Sequence, residues 1–362
     1  MFAIIIVSSI AVLLAWLSRF EKFKYGLELS FILLAFFMSI RYNFGNDYVG
    51  YLDYFKNGSL FANFKNSVHS NHLEIGWNLL SFIFRPIGFF GMIIFLTIFE
   101  YFVIYKIIKR YVPTEWYGMA VFIFTFNVAH MLICASMMRQ FLAMCIFLLS
   151  VDFIIQKKWI ISIGLVLLAS TFHTSAIILL PFCFVGFLKL NLSTKKVVIW
   201  FTVYLLVYFL ATYVLTDLYY KIIALEQFEK YQYYLNQEKV VKGSGLGVLF
   251  SFIMFFFVLY THKDQNEEIK TLFLLYSCAF LFEIFSDFTP IVVRLGYYFS
   301  ILSIVCYPLI LHKIENRMVK YALFLGYFLV TFKLFFDFYN PSGIWYKSYA
   351  TYQTIFSAPL WF

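Results

Sequence analysis

Long apolar runs recur along this chain, and short basic clusters separate them. The run 117–188 shows the pattern best, since basic clusters bound it and Lys157-Lys158 interrupts it. Basic residues in short loops mark the cytoplasmic side of a membrane, so an even number of crossings is expected between neighbouring clusters. The interval 117–155 then predicts two helices of about 20 residues. The interval 159–188 is long for one crossing and short for two, which predicts a tight hairpin that turns at His173.

Composition agrees with a membrane protein and excludes an ordinary soluble domain. The 362 residues are 63% hydrophobic and 13% charged. The net charge of +9 sits mainly in short loops between apolar runs, so it indicates topology and not a nucleic-acid partner. The five cysteines fall inside apolar runs without paired or metal-ligand spacing and are predicted to be core residues.

Extended along residues 1–362, the same rule predicts a single all-α polytopic transmembrane domain with about twelve helices and both termini outside. The predicted crossings are 2–17, 27–40, 87–105, two within 117–155, two within 159–188, 197–216, 246–260, 271–286, 291–311 and 319–336. Three external regions are expected: 41–86 with an interfacial or re-entrant helix at 75–85, an amphipathic loop at 217–245, and an aromatic tail at 337–362.

This topology collects polar residues on the non-cytoplasmic side. They are Arg41, Asp47, Glu74, Arg139, His173, Asp287 and Arg294. A guanidinium at membrane depth costs several kcal/mol and marks a function or a buried partner. Its planar fork suits bidentate contact with phosphate. We therefore predict that Arg41, Arg139 and Arg294 hold a lipid-anchored pyrophosphate.

Other interpretations of these residues stay open. Arg294 can pair with Asp287 or Glu283, and Arg41 with Asp47, as structural ion pairs. His173 can be a hydrogen-bonded interhelical residue. Neither a metal nor a nucleotide is expected, because the only histidines at near-metal spacing lack further ligands and the glycine-rich stretch 243–247 follows no strand.

Five short motifs occur in an order that resembles the EpsG-like, Wzy-type polysaccharide polymerases. They are RYNFGNDY at 41–48 with Tyr51, EIG at 74–76, MRQ at 138–140, HTSA at 173–176 and RLGYYF at 294–299. The resemblance spans roughly residues 30 to 300, and the tail after Asp337 matches nothing familiar.

The resemblance implies a metal- and nucleotide-independent glycosyltransferase of the bacterial cytoplasmic (inner) membrane, with a GT-C-like architecture and a site that faces the periplasm or exterior. Such enzymes transfer a growing glycan from polyprenyl pyrophosphate to a sugar hydroxyl of an incoming lipid-linked repeat, as in O-antigen, capsule or exopolysaccharide synthesis. The expected partners are both lipid-linked oligosaccharides and the bilayer, with a flippase and a chain-length regulator as further candidates. No cofactor and no nucleic acid is expected.

The resemblance also distributes roles among the motif residues. A base for the acceptor hydroxyl is expected among His173, Asp47 and Glu74. The expected substrate-positioning residues are Gln140, Tyr48, Tyr297 and Tyr298.

Three other functions fit parts of the pattern. An O-antigen ligase-like transferase shares the chemistry with another acceptor, and a membrane acyltransferase also uses histidine and arginine. A flippase or transporter for lipid-linked oligosaccharides is a third alternative, but its charges would lie at several depths and its inverted repeats are missing.

Overall fold

The computed structural model describes residues 1–57, 74–190, 192–212, 221, 245–285, 290–343 and 345–357. These residues form mainly α-helices. The helices are α1 Phe2–Leu17, α2 Gly26–Ser39, α3 Tyr48–Asn57, α4 Ile75–Ile83, α5 Phe89–Tyr111, α6 Tyr117–Phe126, α7 Leu132–Ser136, α8 Met138–Ile155, α9 Trp159–Phe172, α10 Thr194–Leu210, α11 Leu246–His262, α12 Glu267–Ile284, α13 Pro290–Ser300, α14 Ser303–Lys313, α15 Arg317–Phe338 and α16 Tyr346–Tyr349. A 3-10 helix, Thr174–Phe187, follows α9, and shorter 3-10 turns occur at Glu21–Phe23, Thr114–Trp116 and Ile355–Ser357.

Apolar helices confirm a membrane-embedded, all-α protein. Within the described part of the chain, α5, α8 and α15 are long and apolar enough to cross a membrane. The pair Val292–Ser300 and Ser303–Lys313, bent by 52°, is one further candidate. Helices also occupy each of the other predicted crossings, but most have fewer residues than a full span needs. Twelve crossings and a GT-C-like architecture therefore stay predictions.

The interval 117–155 departs from its prediction of two full-length helices. Its first helix, α6, ends at Phe126 after 10 residues, a length of about 15 Å that is too short to cross a bilayer. The backbone then leaves the helix at Asn127, whose side-chain oxygen accepts a hydrogen bond from the Ala129 N–H at 3.2 Å. An irregular connection that includes α7 leads to α8, so Arg139 follows a bent segment and not a simple hairpin.

The helical structure of the interval 159–188 is interrupted at His173, the position that the sequence predicts. His173 has extended backbone (φ −151°, ψ 111°) and separates α9 from the 3-10 helix. Each of these two limbs has 14 residues. At about 2.0 Å per residue a 3-10 helix reaches about 28 Å, compared with about 21 Å for an α-helix of the same length. The antiparallel return of the second limb stays a prediction.

The chain separates into two compact units, and its single transmembrane domain stays a prediction. The first unit is Met1–Cys183, Tyr307–Leu309 and Thr331–Phe362, and the second is Phe184–Cys306 and Ile310–Val330. In the first unit α1 packs on α2 and α6, α2 on α5, and α9 on α8 and α4. Helix α8 is central, since 72% of its 18 residues are buried. In the second unit α11 packs between α10 and α12, which also contacts α13.

One two-residue ribbon joins distant parts of the first unit. Strand β1, Arg41–Tyr42, pairs antiparallel with β2, Gln353–Thr354, and Arg41 lies opposite Thr354. The described part of the tail predicted at 337–362 contains the end of α15, α16 and β2. The predicted amphipathic loop at 217–245 lies almost entirely outside the described residues.

Candidate active site

Glu74 lies at the start of α4, next to the end of α9. The two helices approach closely at Gly76, where an added Cβ would lie 2.5 Å from Thr171 Oγ1 and 2.8 Å from the Thr171 carbonyl oxygen. Any side chain at residue 76 would push the helices apart. Glycine at this position therefore allows Glu74 to lie beside His173, which follows α9.

The Glu74 carboxylate joins three chain segments. Its Oε2 accepts a hydrogen bond from Nη1 of Arg139, at the start of α8. Its Oε1 accepts the Thr174 backbone N–H at 3.1 Å and the Thr174 hydroxyl at 3.4 Å. His173 Nδ1 lies 3.3 Å from the same Oε1. The three side chains are partly buried, with 15% of Glu74 and 22% of both Arg139 and His173 exposed.

These contacts keep Glu74 ionised. Burial by itself raises the pKa of this carboxyl, but the His173 imidazole, the charge of Arg139 and the Thr174 N–H together lower its pKa to about 2. Hydrogen bonds and positive charge stabilise the carboxylate form. A carboxylate with so low a pKa is a weak base near pH 7. Glu74 is therefore suited to orient its neighbours, and it accepts a proton poorly.

Tyr51 holds the other side of the Arg139 guanidinium. Arg139 Nε donates a hydrogen bond to the Tyr51 hydroxyl at 3.2 Å, and the guanidinium carbon lies 5.7 Å from the Tyr51 ring centroid. The Tyr51 ring in turn packs at 5.1 Å against the buried Trp77. Burial raises the pKa of Tyr51, so the neutral phenol is the acceptor. The sequence by itself predicts no role for Tyr51, Trp77 or Thr174, although Tyr51 and Thr174 belong to the motifs.

Asp47 lies at the start of α3, on a loop docked against the segment before α8. Its backbone N–H donates to Ser136 Oγ at 3.0 Å. Gly45 has a φ of +109°, a conformation that favours glycine, and a Cβ there would lie 3.0 Å from Ser136 Cα. The Asp47 side chain is exposed. Burial is the main cause of the raised pKa of Tyr51; Arg139 opposes the rise, and the Asp47 charge adds to it. Asp47 therefore borders the Arg139–Tyr51 contact.

Arg41 is buried and has internal partners. Only 3% of it is exposed, and its Nη1 donates to the Met38 carbonyl at 2.6 Å and to Thr97 Oγ1 at 2.8 Å. The alternative ion pair with Asp47 is not formed. Instead, the charge of Arg41 faces Glu100, a buried carboxyl of α5. Arg41 fastens the end of α2 to α5, and its role as a pyrophosphate ligand stays a prediction.

The remaining predicted site residues occupy different environments. Tyr48 is fully buried, and its hydroxyl donates to the Arg41 carbonyl at 3.2 Å. Gln140 is buried on α8 next to Arg139. Arg294, Tyr297 and Tyr298 belong to α13 of the second unit, where Arg294 is exposed and Tyr298 is buried. Their substrate contacts stay predictions. Asp287 lies outside the described residues.

Titratable groups elsewhere form no obvious metal site in the part of the chain that the structure covers. No three His, Cys, Asp or Glu side chains among those residues lie together in a way that could hold a metal ion. All five cysteines are free thiols, four of them buried.

Comparisons with known proteins agree with the motif order. A search of curated proteins and a search of solved structures each returned no match. The family model described as the EpsG family matches residues 24–354. This range covers most of the chain and contains Arg41, Glu74, Arg139, His173 and β2. The protein belongs to the EpsG family.

Proposed function

We propose that this protein is a polysaccharide polymerase. It transfers a growing glycan from polyprenyl pyrophosphate to a sugar hydroxyl of an incoming lipid-linked repeat unit. Membership of the EpsG family and the apolar helices support a membrane glycosyltransferase of the polymerase type. The observation that carries the specific proposal is the Glu74 carboxylate, which fixes a permanent cation, Arg139, and a titratable base, His173, in one place.

His173 serves as the base in this proposal. Its Nδ1 lies 3.3 Å from Glu74 Oε1. The negative charge of Glu74 favours the tautomer with the proton on Nδ1, which leaves Nε2 as the nitrogen that accepts a proton. The acceptor hydroxyl oxygen attacks the anomeric carbon of the donor glycan, and its proton passes to Nε2. The bond from the anomeric carbon to the pyrophosphate oxygen breaks, and polyprenyl pyrophosphate leaves with the electron pair.

Arg139 stabilises the leaving group. Glu74 engages its Nη1 and Tyr51 engages its Nε, and Nη2 is the third nitrogen of the guanidinium. Nη2 can therefore bind a pyrophosphate oxygen, on which negative charge grows as the glycosidic bond breaks. Glu74 orients both groups. Asp47, exposed at the start of α3, is the alternative base.

The proposal puts the reaction on the external face of the bacterial cytoplasmic membrane. Arg139 begins α8, and Lys157 and Lys158 follow the other end of this 18-residue helix. The helix is about 27 Å long, close to the thickness of a hydrocarbon core. If the lysines face the cytoplasm, Arg139 and His173 face outward. Asn46→Cys should then react with an impermeant maleimide added outside intact cells, and Lys158→Cys should not.

The deciding experiment is polymerisation by the purified protein in nanodiscs. The substrate is a polyprenyl pyrophosphate-linked repeat, and the products to measure are a glycan ladder and free polyprenyl pyrophosphate in matched amounts. EDTA should leave the rate unchanged, because the arginine charge replaces a divalent ion. A rate restored by Mg²⁺ would instead make Asp47 and Glu74 metal ligands.

Two results would refute the polymerase proposal. Transfer of the glycan only to a lipid A core acceptor would identify a ligase. Movement of the lipid-linked repeat between vesicle leaflets without a new glycosidic bond would identify a flippase.

A further inference from the structure

The segment 345–357, which we name the strap, contacts two segments that lead to the candidate site: residues 40–45, which precede Tyr51, and α7, which precedes Arg139. We infer that the strap positions Arg139 against Tyr51 and thereby sets the turnover of the enzyme without touching substrate. This inference rests on the proposed polymerase function. The strap and both of these segments belong to the first unit.

The strap first fastens the loop that leads to Asp47 and α3. Strand β2 pairs with β1, so that Arg41 lies opposite Thr354. The Ile355 N–H donates to the Ile40 carbonyl at 2.9 Å, and the Gly45 N–H donates to the Ser348 carbonyl at 3.1 Å. These hydrogen bonds hold the loop at both ends.

The strap also fastens the segment that leads into α8. Tyr349 is fully buried, and its hydroxyl donates to the Leu132 carbonyl of α7 at 3.0 Å. Its ring packs edge-on against Phe44 at 5.0 Å and Phe338 at 4.9 Å. Tyr349 thus connects α7 to the Arg41–Asp47 loop through one side chain.

The two fastened segments meet at the site. The Asp47 N–H donates to Ser136 Oγ, the last residue of α7. Arg139 follows three residues later along the chain, and Tyr51 is four residues after Asp47. The strap therefore fixes the segments that precede both partners of the Arg139–Tyr51 hydrogen bond. A displacement of about 1 Å in such a frame can lower a rate by about 10²-fold.

Tyr349→Phe tests the inference with little change of shape. It removes one hydroxyl and its hydrogen bond to the Leu132 carbonyl, a loss of about 1.4 kcal/mol that corresponds to about tenfold in rate. We expect kcat to fall about tenfold while KM for the lipid-linked donor changes by less than about twofold. Tyr346→Phe is the matched control, because Tyr346 lies on the same short helix with an incompletely buried ring. It should keep the parent kcat.

Hydrogen exchange provides a readout that does not depend on activity. In Tyr349→Phe, peptides covering 41–57 and 132–140 should exchange faster than in the parent, with all other peptides unchanged. Gly45→Ala should have the same local effect and a larger loss of kcat, about 10²-fold, since its Cβ would press on Ser136.

The outcomes separate the two proposals. Parent exchange rates in both variants overturn the strap inference, whatever the activity. Faster exchange with parent kcat also overturns it, since the strap would then be structural only. If the parent protein makes no polymer, the proposed function fails, and faster local exchange in both loops still supports the strap as the element that positions Arg139 and Tyr51.

Discussion

Arg139 and His173 contact opposite oxygens of one carboxylate. Arg139 Nη1 donates to Oε2 of Glu74, and His173 Nδ1 lies 3.3 Å from Oε1. Arg139 lies in the first turn of α8 and His173 directly follows α9, and these two helices pack against each other. Glu74 thus lies between a permanent cation and an imidazole.

Replacement of Arg139 should abolish most of the turnover. Arg139→Ala removes the guanidinium between Glu74 and Tyr51, and loss of such an electrostatic contact costs about 10²- to 10³-fold in kcat. Arg139→Lys should recover little, because one ammonium cannot contact Glu74, Tyr51 and phosphate together. The control is Arg85→Lys, whose side chain is exposed. Full polymer length and rate in Arg139→Lys would exclude the phosphate-binding role.

Replacement of His173 should remove the acidic limb of the pH–rate profile. A general base contributes about 10²- to 10⁴-fold to the rate, so His173→Ala should lose that much with donor binding nearly intact, and His173→Gln somewhat less. His312→Gln, at an exposed position of the second unit, is the control and should keep the parent profile. An acidic limb that persists in His173→Gln would make Asp47 the better candidate.

Glu74 should stabilise the protein in a pH-dependent way. Its pKa is lowered from 4.5 to about 2, so its stabilisation is complete above pH 4.5 and disappears as the pH falls toward 2. The difference between these pKa values corresponds to about 3 kcal/mol. We expect Glu74→Gln to be less stable than the parent by about this amount at pH 7, with the two unfolding temperatures converging between pH 4.5 and 2. If the difference in unfolding temperature between Glu74→Gln and the parent is independent of pH, Glu74 is not held as a carboxylate.

Gly76→Ala should separate α4 from α9. The new Cβ would lie 2.5 Å from Thr171 Oγ1, and such overpacking costs about 1–3 kcal/mol. Turnover should fall with stability, since Glu74 moves with α4. Gly164→Ala is a matched control in α9, where no atom lies within 4 Å of the added Cβ. Alanine favours a helix by about 1 kcal/mol over glycine, so this control should be neutral or stabilising. Equal unfolding temperatures for both variants would contradict the close helix contact.

Local patterns in the sequence were enough to locate most of the apolar helices. Apolar runs and basic clusters predicted the helical segments, including the short helix near 75–85 and the break at His173. They overestimated α6, because hydropathy alone does not show that Asn127 ends the helix. The same pattern predicted that Arg139 and His173 lie at one end of neighbouring helices.

Hydropathy and charge along the chain determined that this is a membrane-embedded helical protein, and the motifs determined its family. Only the tertiary structure decided that Glu74 joins Arg139 to His173, that Tyr51 supports Arg139, and that Arg41 is bonded internally. These contacts connect residues that are 65, 88 and 56 positions apart for Glu74–Arg139, Tyr51–Arg139 and Arg41–Thr97. The periodicity of one segment carries no information about which distant segment it meets, because that choice depends on how the helices pack.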